Sequence, residues 1–119
     1  MLINSHSIEE ATVVAPEGRC DRRTAPTLAE WLEAMTRSGA NRIIVDMGGV
    51  TFMDSTGLAT LIRFMKQCRV AGGDLCLANL HQPVRIIFEL TRLDSAFTIC
   101  PTVDAAVDTF AIDRAASGS

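Results

Sequence analysis

Asp54-Ser55-Thr56-Gly57-Leu58 sets a carboxylate, two hydroxyls and a glycine at one corner of the chain. The run Arg42-Ile43-Ile44-Val45-Asp46-Met47 and a Gly48-Gly49 break precede it, and an amphipathic helical pattern follows. Ser55 therefore falls at a strand-to-helix corner. Unpaired N–H groups and the positive end of a helix dipole meet there, and such a site can hold an anion or a phosphate. Two uses of the hydroxyl are open: Ser55 caps the helix, or Ser55 is itself chemically modified. Asp54 shapes the turn in one reading. In another it orients the hydroxyl. Gly57 reads as close backbone packing at the helix start rather than as a ligand contact.

Catalysis is a poor fit to the same residues. A nucleophilic serine needs a base. Nothing in the sequence pairs His6 or His81 with Ser55, and G-x-S-x-G is absent. The stretch from Gly48 to Gly57 has the look of a phosphate loop, but G-x-x-x-x-G-K-[ST] and its lysine are missing. Asp46 and Asp54 read as turn residues before metal ligands. Neither histidine has a ligand-spaced neighbour, so no metal and no cofactor are expected. Cys20, Cys68, Cys76 and Cys100 form no C-x-x-C pair. Cys68 and Cys76 lie within apolar patterns and read as reduced core thiols.

The elements that position this corner follow from periodicity. Leu2 to Ile8 and Ala11 to Ala15 read as short strands, with Pro16 marking an edge or a strand end and residues 18–23 a loop. Thr24 is the expected N-cap of a first helix, with Pro26 in its first turn and Leu28, Trp31, Leu32 and Met35 facing inward. Ile43-Ile44-Val45 reads as a central strand covered on both faces, and residues 47–54 as a loop. The Ser55 helix carries the stripe Leu58, Leu61, Ile62, Met65 and Cys68 and stops at Gly72-Gly73. Leu75 to Ala78 forms a further strand. Pro83 opens a third helix with Val84, Ile87, Phe88 and Thr91 inward. Ala96-Phe97-Thr98-Ile99 is a short apolar segment, and a last helix from Thr102 or Val103 uses Ala106, Val107 and Phe110. The order predicts an α/β domain, a small mixed sheet packed with about four helices. It spans residues 1–114, with 115–119 as a flexible tail.

Composition narrows the partners. The 119 residues are 48% hydrophobic and 21% charged, with a net charge of −3 and a mean hydropathy of +0.23. An acidic balance argues against direct nucleic-acid binding, although Arg19, Arg22 and Arg23 cluster around Asp21. No apolar run approaches the roughly 18–20 residues of a membrane span. Met1 to His6 has neither a basic nor a long apolar region of a signal peptide. A cytoplasmic protein without membrane insertion is expected.

The run from Ile43 to Leu58, IIVDMGGVTFMDSTGL, resembles the signature of STAS domains, most of all the bacterial anti-sigma factor antagonists (anti-anti-sigma factors). Gly18-Arg19-Cys20-Asp21 matches the family's Gly-Glu-Leu-Asp loop at its glycine and aspartate. Ala71-Gly72-Gly73-Asp74-Leu75, Pro83-Val84-Arg85 and Glu89-Leu90-Thr91-Arg92-Leu93 match further turns and the third helix, so the likeness covers about residues 10 to 110. The resemblance implies the STAS (SpoIIAA-like) fold and a partner-switching role. The unphosphorylated protein binds an anti-sigma factor that is also a serine kinase and so frees a sigma factor. Phosphorylation at Ser55 releases that partner, and a serine phosphatase restores the protein. Asp21, Asp54, Thr56, Gly57 and Leu58 would form the surroundings of the phosphosite, the loop of Asp21 converging on Ser55. N–H groups near Gly57 and Leu58 are expected to accommodate the phosphate. Two other readings stand beside this one: a never-phosphorylated STAS subunit of a lipid-transport or sensory complex, and a nucleotide-binding domain using residues 48–57. The chain departs from the family pattern at Pro16, at Cys20 in place of Leu, and at Ala59 and Arg92 in place of Gly. Phe64 and Ile86, at outward or flanking helix positions, read either as an extension of a partner patch or as isolated surface hydrophobes.

Overall fold

A computed structural model describes residues 1–117, with side chains as far as Ala111. Six strands form one mixed sheet in the order β1 (Leu2–Ile8), β2 (Ala11–Cys20), β3 (Arg42–Asp46), β5 (Asp74–Ala78), β6 (Thr98–Cys100), while β4 (Gly49–Met53) pairs with β2. β1 runs antiparallel to β2, and the other pairings are parallel. Ile43, Ile44 and Val45 are each fully buried, but on opposite faces of the sheet. Ile43 and Val45 join the core formed with α1 (Ala25–Arg37), α2 (Ser55–Val70) and α3 (Gln82–Leu90). Ile44 joins a smaller core under α4 (Val103–Ser117), with Ala106, Val107 and Phe110. A strand between two helical layers needs apolar residues at every position, which is what the unbroken β-branched run supplies. Gly118 and Ser119, the end of the expected tail, lie outside the described residues.

Two strand boundaries differ from the sequence reading. β2 continues through Pro16 to Cys20, so Gly18 to Cys20 are strand rather than loop. Pro16 is at neither an edge nor an end. It sits where β2 changes parallel partner, after Val14 (opposite Val45 of β3) and before Glu17 (opposite Gly49 of β4). Neither parallel neighbour is in register with Pro16 there, so a residue without an N–H is tolerated inside a strand. The second difference is β4 itself, expected as loop. Its burial does not alternate: Thr51 and Phe52 are both exposed between buried Val50 and Met53. A register shift at Gly18/Arg19 in β2 accompanies this, as a β-bulge does.

Several helix faces also differ. Phe64 is fully buried rather than a surface residue. Helix α2 packs against α1 on one side and the sheet on the other, so its buried arc includes Gly57, Leu61, Phe64 and Cys68 as well as Leu58 and Met65. Trp31, expected inward, is 36% exposed. Thr91 is exposed, its hydroxyl donating to the Ile87 carbonyl. Ile86 is exposed as expected. Arg92 has φ +64°, the left-handed region that a Cβ disfavours, which is the physical reason a glycine suits that position. All four cysteines are buried, and none forms a disulfide among the described residues. Burial pushes the Cys68 thiol up to about 11, with the nearby Asp74 charge acting in the same sense.

Candidate functional site

The corner between β4 and α2 is built around Asp54, not Ser55. Asp54 has extended backbone angles (φ −109°, ψ −174°) and is the N-cap of α2. Its Oδ1 accepts the N–H of Thr56 at 2.9 Å and of Gly57 at 3.1 Å. Its Oδ2 accepts the N–H of Arg22 at 3.0 Å, thirty-two residues away in sequence. Its own N–H donates to the Cys20 carbonyl at 3.2 Å, and its carbonyl accepts the Leu58 N–H at 3.0 Å. One aspartate therefore ends β4, starts α2 and fastens the β2–α1 loop to both. Ser55 is the first helical residue. It is exposed, and its hydroxyl makes no hydrogen bond among the described residues. The capping role expected of Ser55 belongs to Asp54, and the hydroxyl is left free.

The same bonds remove the phosphate cradle expected at Gly57 and Leu58. Both N–H groups already donate to Asp54. Gly57 is buried against the end of β2, where a Cβ would stand 2.5 Å from the Cys20 carbonyl oxygen and 2.8 Å from its Sγ. Close packing is thus the reason for the glycine. Leu58 is also buried, within the main core.

The β2–α1 loop forms the opposite wall. Asp21 Oδ1 accepts the N–H of Arg23 at 3.0 Å and of Thr24 at 3.3 Å. Thr24 sits at the N-cap position of α1, but its hydroxyl does not cap. It donates to the Arg19 carbonyl at 2.6 Å and accepts the Asp21 N–H at 2.9 Å, tightening the loop. Arg19 Nε lies 3.4 Å from Asp21 Oδ2, and its guanidinium stacks 4.0 Å from the Phe52 ring centroid. Desolvation opposes ionisation of Asp21, but hydrogen bonds from Arg23, Thr24 and Arg19 outweigh it and hold the carboxyl below the usual aspartate range. Burial pushes the neighbouring Cys20 thiol up to about 11, helped by the charges of Asp54 and Asp21. That thiol stays protonated and inert.

A pH prediction follows for Asp21. The unfolded chain binds this proton more readily than the folded one. The carboxylate's contribution to stability is then complete above the ordinary aspartate pKa of about 3.9 and is lost as pH falls through the lower folded value. Urea-unfolding midpoints of wild type and Asp21→Asn are expected to differ at pH 6 and to draw together as the pH is taken below the ordinary aspartate range. A gap independent of pH would contradict it.

These residues line one open cleft: Arg19, Asp21, Arg22 and Arg23 from one side, Phe52, Asp54, Ser55 and Thr56 from the other. Of the residues singled out from sequence, Asp21, Asp54, Ser55 and Thr56 meet in this cleft, while Gly57 and Leu58 lie beneath it. Phe52 and the backbone of Arg22 were not anticipated. The arginine cluster was visible in the sequence, but nothing there tied it to the serine. At the other end of the glycine pair, Asp46 Oδ1 accepts the Gly48 N–H and the Asn79 amide, each at 3.0 Å, and His81 Nε2 lies 2.6 Å from the Gly48 carbonyl oxygen. Gly49 opens β4. Residues 48–53 are thus a fastened turn and a strand rather than a loop arranged around a phosphate.

A STAS domain family model matches residues 3–106. The anti-sigma-B factor antagonist of Bacillus subtilis (strain 168) is 31% identical over 90 residues, 76% of this chain and 82% of that protein. This chain belongs to the STAS family, among the anti-sigma factor antagonists. The crystal structure of an anti-sigma factor antagonist from Mycobacterium paratuberculosis matches this STAS domain with a TM-score of 0.84 at 25% identity, over 92% of each chain. Bacillus SpoIIAA shares the fold at 19% identity. Its unphosphorylated form gives a TM-score of 0.68 over 96% of this chain and 97% of that one. Its phosphorylated form gives 0.70 over 91% and 98%. Among the described residues of this STAS domain, no helix is long and apolar enough to cross a membrane.

Proposed function

We propose that this STAS domain is a phosphorylation-switched antagonist of an anti-sigma factor. In the unphosphorylated form the cleft face around Ser55 binds an anti-sigma factor that is also a serine kinase, and a sigma factor is set free. The partner kinase supplies ATP. Ser55 Oγ forms the new bond to the γ-phosphorus as the bond to ADP breaks, and the hydroxyl proton passes to a base on the kinase. The phosphorylated form lets the partner go, and a serine phosphatase restores the hydroxyl by hydrolysis.

The observation that carries this reading is the free, exposed Ser55 hydroxyl on a helix corner whose capping is done by Asp54. A hydroxyl that is not structural can be esterified without loosening the fold. A phosphate adds about −1.5 to −2 charges at pH 7. A partner surface fitted to a neutral hydroxyl would then enclose a charge it cannot satisfy. The existence of SpoIIAA, a fold relative, in unphosphorylated and phosphorylated forms is in keeping with such a switch.

The test is to express the chain in its own host and map phosphosites by mass spectrometry across growth conditions. Phosphate on Ser55 in some conditions and not others is expected. A Ser55 that stays unmodified throughout overturns the switch and leaves the reading of a STAS subunit within a larger assembly.

A further inference from the structure

We infer that Arg22 and Arg23 receive the phosphate that Ser55 carries, so that the modified side chain is neutralised by its own chain. The inference rests on the phosphorylation of Ser55 proposed above. The helix terminus has few donors left to offer a phosphate. The N–H groups of Thr56 and Gly57 donate to Asp54 Oδ1, and that of Leu58 donates to the Asp54 carbonyl. The Asp54 carboxylate already occupies the favourable anion position at the end of the dipole. A phosphate on the next residue must find its counter-charge elsewhere.

The cleft supplies it unevenly. Arg19 is committed to Asp21 and to the face of Phe52. Arg22 and Arg23 are exposed, line the cleft with Ser55, and have guanidinium groups with no ion pair among the described residues. The backbone of Arg22 is held beside the corner by its N–H bond to Asp54 Oδ2, the carboxylate of the residue preceding Ser55. The charged groups facing a phosphate here are Asp21, Asp54, Arg19, Arg22 and Arg23. Both carboxylates accept backbone N–H bonds. A dianion beside two fixed carboxylates is tolerable only if cations come closer. Two guanidiniums with no other partner can pair bidentately with phosphate oxygens. Phosphorylation then does two things to the face: it adds bulk where a small hydroxyl stood, and it withdraws two free guanidiniums from any acidic group on the partner.

The test uses the full chain with phosphoserine installed at position 55 by genetic encoding, followed by phosphorus NMR through a pH titration. Free phosphoserine has its second pKa near 6. The phosphate in the otherwise wild-type chain is expected to bind its proton about five- to tenfold more weakly than in Arg22→Gln/Arg23→Gln. The Arg22→Lys/Arg23→Lys chain, which keeps charge but loses the planar fork, should lie between. A wild-type phosphate that binds its proton as tightly as free phosphoserine, or more tightly, overturns the inference without any variant. So does an identical titration in the double glutamine chain. Because the phosphate is installed rather than acquired, this result is separate from whether the host modifies Ser55, which the phosphosite map decides.

Discussion

Ser55→Ala is expected to bind the anti-sigma partner as wild type does, and Ser55→Asp is expected to bind at least about 100-fold more weakly, a loss of roughly 2.7 kcal/mol. Both should remain folded, and that is what makes the pair informative. Were Ser55 the N-cap, its loss to alanine would cost about 0.5–2 kcal/mol. With Asp54 accepting the first-turn N–H groups, Ser55→Ala should instead unfold within about 0.5 kcal/mol of wild type, as an exposed substitution does. Asp54→Ala is the contrasting variant. It leaves the N–H groups of Arg22, Thr56 and Gly57 without their acceptor and should lose stability measurably. Titration calorimetry against the partner kinase purified from the host, with urea unfolding of each variant, reads both effects. If Ser55→Asp binds as tightly as wild type, charge at this position does not govern release. If Ser55→Ala is strongly destabilised, the hydroxyl is structural after all.

The division of labour between Asp54 and Ser55 shows where sequence reading stops. Aspartate and serine are about equally good N-caps, so Asp-Ser before a helix does not say which residue is the cap. The backbone decides: Asp54 is extended and Ser55 helical. The stripe of α2 and the doubly covered β3 were readable because each rests on local periodicity. Phe64 was not, since its burial in the main core comes from tertiary packing, with α2 meeting both α1 and the sheet. Strand β4 was hidden for a similar reason. Its pairing with the far half of β2 comes with a register shift and places Thr51 and Phe52 outward together, so no alternation marks it. The clip from Arg22 to Asp54 spans thirty-two residues and has no local signature. The family resemblance predicted that the two loops converge. Only the geometry shows that they do so by a backbone bond to the capping carboxylate, and that this bond places the arginines beside the serine.

Gly57→Ala tests that convergence through stability, and two effects of opposite sign compete in it. Helix propensity alone favours alanine by about 1 kcal/mol at a helical position. Against it stands a Cβ 2.5 Å from the Cys20 carbonyl oxygen and 2.8 Å from the Cys20 Sγ. The first of these contacts is with backbone at the end of β2, where Cys20 is paired with Met53 of β4 and cannot move aside freely. Relief must come from the helix, by pushing the start of α2 away from the end of β2. That movement stretches the Asp54 N–H bond to the Cys20 carbonyl and the Arg22 N–H bond to Asp54 together. Overpacking of this kind costs about 1–3 kcal/mol, and the strained or broken bonds add about 1 kcal/mol each. The sum exceeds the propensity gain, so a net loss of about 2–4 kcal/mol is expected, with a drop in Tm of roughly 8–16 °C. Partner affinity should fall as well, because the Arg22 wall of the cleft is fastened through the same aspartate. Thermal unfolding of Gly57→Ala beside wild type gives the sign directly. A chain as stable as wild type, or more so, would mean that β2 and α2 do not approach as closely as described and that the cleft is not held together at this corner.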